Sequence, residues 1–89
     1  MSLTDIVKAT NGKRMCASLR IFGTNTECSL YSEDSRVFIR TDNLTGSEQL
    51  VLMNEDYEEI SVGIDSIQSF VTKGDVYFIN CGSYGVKIQ

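Results

Sequence analysis

The sequence predicts a small, mostly β domain opened by one short helix. Three observations lead there. Apolar residues recur at helical spacing only near the start of the chain, and from Lys13 onward they alternate with polar ones in short runs. Clusters of Gly, Asn, Asp and Ser separate those runs at close intervals. The chain contains no proline, so every strand can donate along its whole hydrogen-bond ladder.

Residues 2–10, "SLTDIVKAT", form the expected helix. Ser2 and Asp5 have the spacing of a capping box, and Leu3, Ile6 and Val7 share one face. Asn11-Gly12 ends it, because glycine takes the left-handed conformation that closes a helix. In "KRMCASLRIF", Met15, Ala17, Leu19 and Ile21 share one face of a strand while Arg14, Ser18 and Arg20 share the other. "GTN" turns into "TECSLY", with Cys28 and Leu30 inward. "SEDS" then reads as a hairpin tip, and "RVFIRT" returns with Val37 and Ile39 inward and Arg36, Phe38 and Arg40 outward. After the loop "DNLTGSE" come "QLVLM", "EEISVGI", "SIQSFV", "VYFIN" and, past a "CGS" turn, "YGVKI". This spacing, about seven short strands in all, suits a small barrel or sandwich.

Eighty-nine residues make one domain, 1–89, because so short a chain cannot support two separate cores. With 42% apolar and 22% charged residues it is globular rather than disordered, and no apolar run approaches the roughly 18 residues of a membrane span. "MSLTDIVKAT" lacks the basic start and apolar segment of a secretion signal, so a cytoplasmic protein is expected, with no membrane partner. Cys16, Cys28 and Cys81 are odd in number and far apart, and there is no histidine; core packing is expected of them, not a metal site or a disulfide.

The net charge of −4 disfavours sequence-blind DNA binding. Charge is uneven: residues 1–40 hold six basic against four acidic side chains, and residues 41–89 hold two against eight. One basic and one acidic surface, or an ordinary mixed surface, would both follow.

Catalytic equipment is missing from the pattern. Without histidine no ordinary nucleophile-and-base pair can be built. The carboxylate pairs Glu33-Asp34, Glu55-Asp56 and Glu58-Glu59 fall in turns, or on opposite faces where the chain is extended. "CGSYG" has no following helix to cradle a phosphate. No enzyme and no cofactor are expected. Single-stranded RNA asks less: bases stack on aromatic or guanidinium planes, and Arg36, Phe38 and Arg40 offer two guanidinium groups around one ring.

Helix, Gly-Lys, then "MCASLRIFGTNTECSLYSEDSRVFI" resembles the first motif of the Sm-like family, which includes the Sm, LSm and Hfq proteins. Leu19, Gly23, Leu30 and Asp34 occupy its leucine, turn glycine, second leucine and aspartate, and Val37 takes the apolar place that follows. The chain departs from the pattern at an extra residue between Leu19 and Gly23, at Cys28 in place of a bending glycine, and at Phe38 in place of a base-gripping asparagine. Arg36 stands where many members stack on a base. The second motif can be placed twice. "VYFINCGSYGVKI" keeps Gly82 but has Asn80 or Cys81 in place of the arginine, while "ISVGIDSIQSFV" puts Ile64-Asp65-Ser66 at the pore-facing turn. The second placement follows the order of parts better and leaves residues 75–89 as an added hairpin.

The resemblance implies a short helix, then a strongly bent five-stranded open barrel over residues 13–72. It also implies a closed homo-oligomeric ring of about five to seven copies. Asp34, Ser35, Arg36, Phe38, Arg40, Ile64, Asp65, Ser66, Asn80 and Gly82 would then line a pore rim that binds single-stranded RNA. Ring closure would also cover strands that are apolar on both faces, such as Val51 and Met53 against Leu50 and Leu52, and Val76 and Phe78 against Tyr77 and Ile79. The rival expectation is an oligomeric protein-interaction module that keeps the ring and has lost the RNA.

Overall fold

In the computed structural model, which describes residues 2–89, one helix precedes eight strands, and 51% of the chain is strand. The helix, α1 (Leu3–Thr10), begins as its cap dictates. The Asp5 N–H donates to Ser2 Oγ and the Ser2 N–H donates to the Asp5 carboxylate, satisfying donors that a helix start leaves orphaned. Gly12, at φ +76°, turns the chain out of it.

The strands are β1 (Met15–Ile21), β2 (Glu27–Ser32), β3 (Arg36–Thr41), β4 (Glu48–Met53), β5 (Glu59–Gly63), β6 (Ser69–Lys73), β7 (Val76–Asn80) and β8 (Tyr84–Ile88), with a 3-10 turn at Ile64–Ser66 before β6. They form two antiparallel sheets, one in the order β2-β1-β8-β7-β6 and one in the order β3-β4-β5. The sheets share one core. Met15, Ala17, Leu30, Ile79, Val86 and Ile88 enter it from the larger sheet, Val37, Leu50, Leu52, Ile60 and Val62 from the smaller, and Ile6 from α1. Among the described residues no helix is long and apolar enough to cross a membrane.

Three expectations change. "SEDS" is a corner, not a hairpin tip: β2 bonds only to β1 and β3 only to β4, so the first five strands do not make one continuous bent sheet, and no closed barrel forms. Local hydrogen bonds explain why. The Ser35 N–H donates to Lys13 O (3.0 Å) and the Asp34 N–H to Glu55 Oε1 (2.9 Å), so the donors a hairpin would use are spent elsewhere. Residues 75–89 are no appendage either, since β8 lies between β1 and β7 in the larger sheet. Cys28 and Ile39 sit on the inward faces yet are exposed, whereas Leu30 and Val37, nearer the corner, are buried; with β2 and β3 unpaired, the cover fails away from the corner.

Of the two strands apolar on both faces, one is covered within the chain and one is not. Val51 points away from the core and is nonetheless fully buried. The register sets it between Phe38 and Ser61, and the Arg40–Glu59 ion pair reaches from β3 to β5 across it. On β7 the inward Ile79 is buried, but the outward Phe78 stays 38% exposed. Nothing in the described residues covers it.

Candidate functional site

The corner between the sheets is built as a clasp. Ser32 and Ser35 are buried on either side of it. Ser35 Oγ donates to Thr10 O (2.7 Å), the Gly12 N–H donates to Ser35 O (2.8 Å), and the Val37 N–H donates to Asn11 Oδ1 (3.0 Å), which pins the end of α1. On the other side Ser32 Oγ donates to the Glu55 carboxylate, which also accepts from Asp34 N–H. Glu55 belongs to the β4–β5 turn, whose frame is Asn54: its Oδ1 accepts from the N–H groups of Asp56 and Glu58, each at 3.0 Å.

Within that turn Tyr57 is held at φ +63°, a conformation that costs a non-glycine residue on the order of 1 kcal/mol. It is 71% exposed, and the Arg36 guanidinium lies 5.7 Å from its ring centre. Of the three residues predicted to face RNA on β3, Arg36 is the one that lies against an exposed ring. Arg40 makes two bonds of 3.0 Å to the Glu59 carboxylate, with further bonds to Gln49 (3.0 Å) and Ser61 (3.3 Å), so its donors face the protein. Phe38 is half-buried beside Val51. Ser35 is structural, and the Asp34 side chain is exposed.

The other predicted residues lie elsewhere. Gly63 pairs with Gln49, and Gln49 pairs with Arg40, so Ile64, Asp65 and Ser66 follow β5 at the end of the smaller sheet away from Arg36. Asn80 and Gly82 occupy the β7–β8 turn, where Asn80 Oδ1 accepts the Gly82 N–H (2.9 Å). That turn sits at the Ile21 end of β1, opposite the end where Met15 meets Ser32. The resemblance sets all of these on one rim with Asp34–Arg36; the fold brings the Ile64–Ser66 turn and the Asn80–Gly82 turn together, with the Gln68 N–H donating to Asn80 O (2.7 Å), at the end of the two-sheet stack opposite Asp34–Arg36.

Glu33, Asp34, Glu55, Asp56 and Glu58 gather with Arg36 and Tyr57 at the clasp end, while the neighbouring Glu59 is neutralised by Arg40. A phosphate backbone would meet repulsion there. Several of these groups also carry stability. Hydrogen bonds from Ser32 and the Asp34 N–H hold the Glu55 carboxyl below the usual glutamate range, the Arg40 bonds do the same to Glu59, and the Ser2 bonds lower Asp5. A lowered folded pKa means the folded state binds the proton less readily than the unfolded chain. The stabilisation is therefore complete above the unfolded value of about 4 and is lost as pH falls through the lowered values. Urea midpoints are expected to drop between about pH 5 and pH 3, and Glu55→Gln is expected to flatten that drop. An unchanged slope in the variant would remove Glu55 from the clasp.

The outer face of the larger sheet carries three cations, Arg20, Lys73 and Lys87, and one carboxylate, Glu27, which stands opposite Arg20. Ser18, Lys87, Phe78 and Val71 form one row across β1, β8, β7 and β6, with Arg20 and Lys73 on the same face. Phe22, just past β1, folds back over Gly85, where an added Cβ would stand 2.8 Å from its ring. Phe22, Val71 and Phe78 are 50%, 57% and 38% exposed and line a groove of about 490 Å³ that also takes in Lys73 and Lys87. The only two cations of residues 41–89 thus share one face. Alternation places Lys87 and Phe78 outward; only the strand order brings them beside Phe22. Compared with known proteins, the chain matches no family model, no curated protein and no solved structure.

Proposed function

We propose that this chain is a non-enzymatic module that assembles with copies of itself. The observation that carries this reading is the groove of Phe22, Val71 and Phe78 on the outer face of the larger sheet, an apolar strip left open by a fold that covers Val51 within the chain. Such a strip on so small a domain is suited to a partner's surface. The Sm-like resemblance of residues 2–42 and the ring it implies go with this proposal; the five-stranded barrel does not, since β2 and β3 belong to different sheets.

Single-stranded RNA binding is the second reading. Arg20, Lys73 and Lys87 around Phe22 and Phe78 favour it, since they combine cations with faces on which bases stack. On this reading the RNA lies on the sheet and not at the acidic clasp. Sedimentation from dilute to concentrated protein tests the first reading; a particle of about 10 kDa throughout overturns it. Titration with oligo(U) and oligo(A) at low and moderate salt tests the second, and binding unaffected by Lys87→Glu overturns this placement of the RNA.

A further inference from the structure

We infer that the groove receives Leu44 of a second copy, in a head-to-tail contact. This rests on the self-assembly reading and names its two surfaces. Leu44 is 96% exposed at the tip of the β3–β4 loop. The loop that carries it is tightly bonded: the Gly46 N–H donates to Asp42 O (2.7 Å), the Asp42 N–H to Ser47 O (2.8 Å), and the Leu44 N–H to Asp42 Oδ1 (2.9 Å). A fully exposed leucine on a loop so held is a preorganised knob, and little further ordering is needed to bury it.

Shape and charge both match the groove. Its floor is Phe22, Val71 and Phe78, with the Phe22 ring seated on Gly85, where a side chain would displace it. Its rim carries Lys73 and Lys87, while the Leu44 loop is bordered by Asp42 and Glu48 and contains no cation between them. The knob lies on a connection of the smaller sheet and the socket on the outer face of the larger, so the contact joins two different patches. Contacts of that kind extend from copy to copy and close into a ring when the rotation allows.

Two variants at exposed positions test this. Leu44→Asp removes the knob and leaves the socket; Val71→Asp blocks the socket and leaves the knob. Wild-type protein is expected to assemble, and each variant alone is expected to sediment as a monomer at concentrations where the wild type does not. An equimolar mixture of the two is expected to give a particle of twice the monomer mass, because one intact knob meets one intact socket. Assembly of the Leu44→Asp variant to the wild-type size overturns the contact and leaves the self-assembly reading standing. A monomeric wild type overturns both. If the wild-type monomer instead binds oligo(U) through Lys73 and Lys87, the groove belongs to RNA and the knob-and-socket contact is also overturned.

Discussion

Leu52→Ala is expected to lower the unfolding free energy by about 2–5 kcal/mol, the range for a leucine removed from a packed core. Leu52 is fully buried, and on the central strand of the smaller sheet it stands between Val37 of β3 and Ile60 of β5. Both neighbours are fixed by ladders on either side of β4, so the walls of the resulting cavity have little freedom to collapse. Small domains are stable by only about 5–15 kcal/mol, so this one truncation removes a large share. Urea denaturation is the measurement, with a lower midpoint at unchanged slope as the expected result. A loss under about 1 kcal/mol would mean that the two sheets do not close on Leu52.

Ser35→Ala is expected to cost about 1–3 kcal/mol, although it deletes a single oxygen. Ser35 is 1% exposed and its hydroxyl is bonded to Thr10 O at the end of α1, where a helix leaves its last carbonyls without partners. Removing it leaves a buried acceptor unsatisfied. Asp34→Ala, one residue away with its side chain in solvent, is expected to shift stability by less than about 0.5 kcal/mol. Amide exchange in Leu3–Thr10 should quicken in the first variant and stay unchanged in the second. Equal effects at the two positions would mean that the clasp is not made.

The helix, its capping box and the approximate position of the strands were legible because each is written in local spacing, although about seven strands were expected where eight form, and β6 starts at Ser69 because a 3-10 turn takes Ile64–Ser66. Pairing between strands was not legible. "SEDS" carries the polar composition of a hairpin turn, and alternation on its two sides is the same whether the strands bond to one another or part into separate sheets. The difference lies in Ser32 meeting Glu55 and Ser35 meeting Thr10, contacts between residues remote in sequence. The candidate site followed the same division. Arg36, Phe38 and Arg40 do share the outward face of β3, as alternation requires, but Arg40 is claimed by Glu59, which periodicity cannot see. Tyr57 was missed because turns have no period; the one signal was a large aromatic residue inside the acidic stretch "NEDYEE".

The place of β8 governs how this chain can be made. The β1–β2 hairpin and the β3–β5 meander draw only on neighbouring segments and can form as they emerge from the ribosome. Ala17, however, pairs with Ile88, so β1 waits for almost the whole chain before its second ladder exists. Closure over so long a stretch is slow, and until it happens the nascent protein carries a bare seam through what will become the middle of its larger sheet. Shelter by a chaperone during that interval would decide how much of the product escapes aggregation.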